Sequence, residues 1–190
     1  MVASILEPVA LKWHKSLYLQ AVEAGVFDGR HVEFIEGEIL EMSPMGNPHD
    51  VAVDLVEEAL RFVFPRNQFT IRIQKGFDAE GDSMPEPDLA VVRGRPRDYL
   101  AGKPRQAELI VEVSESSLRF DRRVKASLYA RSAIPEYWIV NLIDGTLEVY
   151  RTPASSEPHA YASISVYRPG DTIAPVGAPD ASVAVTDLMP

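Results

Sequence analysis

The chain contains no cysteine, which excludes disulfides, thiolate zinc sites and cysteine nucleophiles together. Histidine is scarce and scattered, at His14, His31, His49 and His159, and no HExxH-like pair is present to hold zinc. No apolar run reaches the roughly 18 residues that a membrane span requires. The opening MVASILEPVALKWHK lacks the basic start and continuous apolar core of a secretory leader. The expectation is a cytoplasmic protein with no membrane association. Positive charge is in deficit too, with 19 Lys and Arg against 28 Asp and Glu, a net −9. That balance argues against a broad basic surface for nucleic acid and leaves a local patch as the means of meeting phosphate.

What is present suits one globular domain. The 190 residues, 46% of them hydrophobic, are enough to bury a sizeable core. The pattern suggests a single domain over 1–190, with a core at about 30–150 and a β-rich C-terminal extension at about 151–190. A helix is expected from about Leu11 to Ala24, with Leu17, Tyr18 and Val22 on one side and Gly25 as its stop. VEFIEGEILEM reads as a hairpin turning at Glu36-Gly37, followed by a loop containing Pro44, Gly46 and Pro48. A second helix runs from about His49 to Phe64, its apolar face Val53, Val56, Leu60 and Val63. Strand-like alternation covers Phe69 to Ile73, and residues 93 to 105 form a basic loop. EYWIVNL and TLEVYRT make a second hairpin with Asp144-Gly145 in its turn, and YASISVY and ASVAV are short β-like pieces beyond it. Strands alternating with helices in the centre, flanked by hairpins, predict an α/β fold with a mixed β-sheet and helices packed on it.

The chemistry concentrates between Met84 and Tyr137. In MPEPDLAVV, Asp88 precedes a buried-looking run, as either a site residue or an aspartate that caps the strand entry. In AELIVEVS, Glu112 lies inside an apolar strand, where an ionised carboxylate needs a cation or an ion-pair partner such as arginine. The helix FDRRVKASLYARS carries Asp121 and Lys125 four residues apart, the spacing of an ordinary surface pair. His49 opens a helix, and Glu33 and Glu36 sit in a hairpin where strand residues commonly face solvent. Arg93, Arg95, Arg97, Arg119, Arg122 and Arg123 are candidates for phosphate contact or simply solvated charges. Taken together, hard carboxylate oxygens on adjacent strands suit Mg²⁺, with a lysine nearby to orient water or stabilise a phosphoryl transition state.

At these residues the chain resembles the Uma-two family of restriction-endonuclease-like proteins, in the PD-(D/E)XK nuclease superfamily. The matching pieces are VEFIEGEILEMSP, His49, PEPDLAVV, LIVEVSESS, FDRRVKASLYA and IPEYWIV, in family order over about residues 30 to 150. The resemblance implies a restriction-endonuclease-like fold and a metal-dependent endonuclease, using Mg²⁺ or Mn²⁺ to hydrolyse phosphodiester bonds in DNA. It makes Asp88 the motif aspartate, Glu112 the second acidic ligand and the Val113 carbonyl a further metal ligand. The motif lysine would stand where this chain has Ser114, so Lys125 is the expected substitute, with His49 and Glu33 in or beside the site. A homodimer, one site per DNA strand, is a further expectation. The rivals are a binding or assembly protein with an idle site, and a metal-dependent phosphohydrolase acting on RNA or nucleotides.

Overall fold

Apolar β-rich runs that cannot each bury two faces alone must pair, and here they pair into one six-stranded sheet. In a computed structural model, which describes residues 9–154 and 156–190, the strands are β3 (Phe69–Ile73), β4 (Leu89–Arg93), β5 (Leu109–Ser114), β6 (Glu136–Asn141), β7 (Thr146–Pro153) and β8 (Tyr161–Tyr167). They lie in that order across the sheet, antiparallel throughout except for the parallel pair β5–β6. A parallel pair needs a crossover. It is supplied by the helix α3 (118–131), which lies between β5 and β6 in the chain. Preceding the sheet are α1 (Lys15–Glu23), the hairpin β1 (Val32–Ile35) and β2 (Glu38–Glu41), and α2 (Asn47–Val63). Residues 1–8, part of the stretch read above for a secretory leader, lie outside the described residues. Among the described residues no helix is long and apolar enough to cross a membrane.

Strand alternation sends successive side chains to opposite faces. Leu109, Val111, Val113, Trp138 and Val149 pack under α2 through Ala52, Val56 and Leu60. Ile110, Tyr137, Ile139 and Tyr150 pack against α3 through Leu128 and Tyr129. Glu112 and Ser114 share parity with Ile110, which directs both toward α3. The first hairpin turns where expected, Glu36 and Gly37 both at positive φ (51° and 76°), the geometry of a tight two-residue turn.

Three expectations change. Only Tyr18 of α1 is buried, stacked on Phe34, while Leu17 and Val22 face solvent, because α1 packs on the hairpin through a narrow contact. The third helix begins at Leu118, three residues before Asp121, and contains a π turn over Asp121–Lys125 in which the Ala126 N–H donates to the Asp121 carbonyl. YASISVY is the outer strand of the main sheet, bonded to β7. Beyond it, β9 (Thr172–Ile173) and β10 (Val183–Ala184) pair, and Val185 and Leu188 pack into the core on the α2 side. Fully buried Glu136 fastens this tail. It accepts from Arg151 at 2.8 Å, the Trp138 indole at 2.9 Å and the Val176 N–H at 2.6 Å.

On the α3 face, buried Glu148 accepts from Arg122, Asn141 and Tyr150. Burial alone would raise its pKa, but these donors, Arg122 foremost, hold it below the ordinary 4.5. The lowered folded-state value means stability that is present above pH 4.5 and lost as pH falls through the folded value. Glu148→Gln should therefore cost about 1–2 kcal/mol at neutral pH, the lower part of the range for charged hydrogen bonds because Arg122 is half exposed. Melting curves of the two proteins should converge in acid. A constant gap at every pH would remove the ionised carboxylate as the cause.

Candidate active site

The ends of β4 and β5, the start of α2, the first strand of the hairpin and the π turn meet around one cavity of about 420 Å³. Its floor is polar and almost wholly buried: Glu33, His49, Asp88, Glu112, Asp121 and Lys125 are each at most 7% exposed. Asp88 sits immediately before β4, beside Glu112 across the strand pair, and its own N–H lies 3.3 Å from Glu112 Oε2. Asp88 Oδ2 accepts from the Val113 N–H at 2.9 Å and contacts His49 Nε2 at 3.2 Å. His49 reaches it from the first turn of α2, which begins two residues earlier than the sequence suggested, at Asn47.

Lys125 enters the same cluster from α3. Its Nζ donates to Glu112 Oε1 at 2.9 Å and to Glu33 Oε1 at 3.1 Å. Tyr129, one turn further on, donates its hydroxyl to Glu112 Oε1 at 2.6 Å. The ion-pair partner of Glu112 is therefore Lys125 and not an arginine, and Glu33 is a buried residue, not a solvent-facing one. Asp121 and Lys125 form no surface pair. The π turn lets Lys125 reach the carboxylates while Asp121 accepts from Ser114 at 2.7 Å and from Ser117. Ser114, two residues after Glu112 and on the same face of β5, has its hydroxyl committed to Asp121.

The electrostatics follow from crowding buried acids together. Burial lifts Glu112 well above the usual carboxylate range and lifts Glu33 as well, with Lys125 pulling both back. For Lys125, burial pushes toward the neutral amine, but Glu112, Glu33, Asp121 and Asp88 more than reverse this and hold it protonated. Asp88 is lowered despite its burial, through His49 and the Val113 N–H, and His49 is correspondingly raised. Four acids against one lysine and one histidine leave the pocket short of positive charge.

Does this donor set suit a divalent cation? Among the described residues no three His, Cys, Asp or Glu side chains converge as a ready-made cage. Mg²⁺ does not require one, since it commonly takes one or two carboxylates and keeps several waters. Glu33 Oε2 is buried with no partner. Beside it, the least committed oxygens of Asp88 and Glu112 are Asp88 Oδ1, 3.4 Å from Gln74, and Glu112 Oε2, 3.3 Å from the Asp88 N–H. Hard oxygen donors with spare lone pairs, in a pocket deficient in positive charge, fit such an ion.

The arginines divide. Arg122 is bound to Glu148, outside the cavity. Arg93, Arg95 and Arg97 lie at or beyond the far end of β4, roughly 16 Å from Asp88 at about 3.3 Å per strand residue. Arg93 pairs there with Glu108. Arg119 and Arg123 instead line a second cleft that adjoins the cavity. The participants absent from the sequence reading are Tyr129 and Gln74. Tyr129 had a signal, its spacing four residues after Lys125 on one helix.

The family model for Uma2, described as "Putative restriction endonuclease", matches residues 17–186. A crystal structure from Anabaena variabilis ATCC 29413, described as "a putative nuclease belonging to DUF820", has a similar fold. It is 15% identical in sequence, with a TM-score of 0.62 over 84% of this chain and 89% of that one. No curated protein matches.

Proposed function

The chain belongs to the Uma2 family, and from that premise we propose that it is a metal-dependent endonuclease hydrolysing phosphodiester bonds in DNA. The observation that carries this reading is the buried group Glu33–Lys125–Glu112–Asp88–His49 at the floor of an open cavity. Asp88, Glu112 and the Val113 carbonyl would hold Mg²⁺ or Mn²⁺. Such an ion would supply Lewis-acid polarisation of the scissile phosphate and offset the charge that develops on it.

The protein's own groups do the rest. Lys125 is held as the ammonium, so it cannot take a proton and acts as a donor toward a phosphate oxygen or the attacking water. Glu33, with a raised pKa and one unpartnered oxygen, is the group suited to accept the proton from that water. His49 and the Val113 N–H fix the rotamer of Asp88, and Tyr129 fixes that of Glu112.

The test is incubation of the purified protein with supercoiled plasmid, single-stranded DNA and RNA, each with Mn²⁺ or with EDTA. Cutting of DNA that EDTA abolishes is the expected outcome. The acidic balance and Ser114 favour one rival, a binding protein with an idle site. Absence of both cutting and calorimetric Mn²⁺ binding would decide for it.

A further inference from the structure

Beside the cavity lies a cleft whose chemistry differs from the cavity's own rim. The rim carries Glu41 (3.9 Å from Arg30), Glu86 (3.8 Å from His31) and Glu115, which pairs with no cation among the described residues and would repel a phosphate. Phe120, half-buried, is shared between the cavity and the neighbouring cleft. In that cleft stand Arg119 and Arg123, both exposed. Its only acid, Glu36, is neutralised by Arg131 at 3.1 Å. Neighbouring arginines are occupied, Arg122 by Glu148 and Arg151 by Glu136. Among the described residues, Arg119 and Arg123 pair with no carboxylate.

We infer that this cleft is the track for a single nucleic-acid strand, with Arg119 and Arg123 on successive phosphates and Phe120 beneath a base. The inference rests on the endonuclease reading and narrows its substrate. A duplex interface neutralises many phosphates from a wide basic face. This chain offers two free arginines beside a recess whose carboxylates are at most 7% exposed, rimmed by acids. One flexible strand can thread between the acids and bring a phosphate to the floor, and a rigid duplex cannot. An aromatic ring between phosphate contacts is the usual platform for an unpaired base.

The test reads binding alone, in EDTA, by fluorescence anisotropy of labelled oligo-dT, oligo-rU and a duplex of equal length. The single strands should bind more tightly than the duplex. Arg119→Ala with Arg123→Ala should weaken them and flatten the salt dependence by about 0.7 log units per arginine. Phe120→Ala should weaken them about tenfold. Arg93→Ala, at the far end of β4, should change nothing. Equal affinity for dT and rU would place recognition in phosphate and base face, and a preference would say which strand is read. Tighter duplex binding, or indifference to the Arg119 and Arg123 substitutions, would overturn the inference even if the plasmid is cut. Conversely, strand binding without any cutting would sink the catalytic reading and leave this one standing.

Discussion

Asp88→Asn should abolish Mn²⁺-dependent cutting. Asp88 is where three elements agree. The start of β4 places it, the Val113 N–H of β5 and His49 of α2 aim it, and its neighbour Glu112 completes the proposed metal site. Asparagine keeps the shape but removes the charge, and its amide turns a donor toward other donors or toward the ion. Losing an outer-shell partner of a metal typically costs roughly 10–100-fold, so loss of a proposed ligand should exceed that and leave no measurable rate. Mn²⁺ binding by calorimetry should vanish with it. Asp88 is buried on the cavity floor and, despite that burial, is held ionised by His49 and the Val113 N–H, so the melting temperature should fall as well. A variant that is folded at the assay temperature yet does not cut separates the two effects. Cutting that persists at the parent rate would trace the activity to a contaminant and discard this site.

Lys125→Met should be the most destabilising single change in the pocket, at about 3–5 kcal/mol, the range for breaking a buried ion pair by removing one partner. It strands two buried carboxylates, Glu33 and Glu112, each already lifted by burial and now without the ammonium that opposed this. For acids whose folded-state pKa is raised, the folded form binds more protons than the unfolded chain. Stability therefore rises as pH falls from the folded value toward the ordinary 4.5. The loss should accordingly be largest at neutral pH and shrink in mild acid. Adding Glu33→Gln to Lys125→Met should recover part of it. Urea titrations at several pH values measure all three effects. A loss under about 1 kcal/mol at neutral pH would mean that water already solvates these acids.

Much of this site was legible in the sequence for local reasons. LIVEVS is apolar on both sides of Glu112, and its burial follows from that alone. PEPDLAVV fixes Asp88 at a strand entry because proline holds the preceding backbone extended. Other parts depend on distant partners. Glu33 is tied to a residue 92 positions away, and His49 to one 39 away, so neither burial could be read from its neighbours. Nothing in the composition of DRRVK announces a π turn, which is why Asp121 and Lys125 looked like a surface pair. YASISVY was recognisable as β-like, but its place depended on the length of β7, whose outer edge it covers.

The π turn has one more consequence. A turn of this kind is an α-helix carrying one residue more than its 3.6-residue repeat accommodates. Because that extra residue is taken up locally, deleting one between Asp121 and Lys125 would restore the regular repeat and leave the flanking segments nearly in phase. Deleting a residue from the regular part of the helix, between Lys125 and Tyr129, would instead turn one side by about 100° relative to the other and carry Tyr129 away from Glu112. The π turn is thus the one place in this helix where chain length can change without moving the residues on either side of it. Elsewhere in the helix, insertions and deletions, rather than substitutions, are the changes most able to pull Lys125 and Tyr129 off their shared carboxylate.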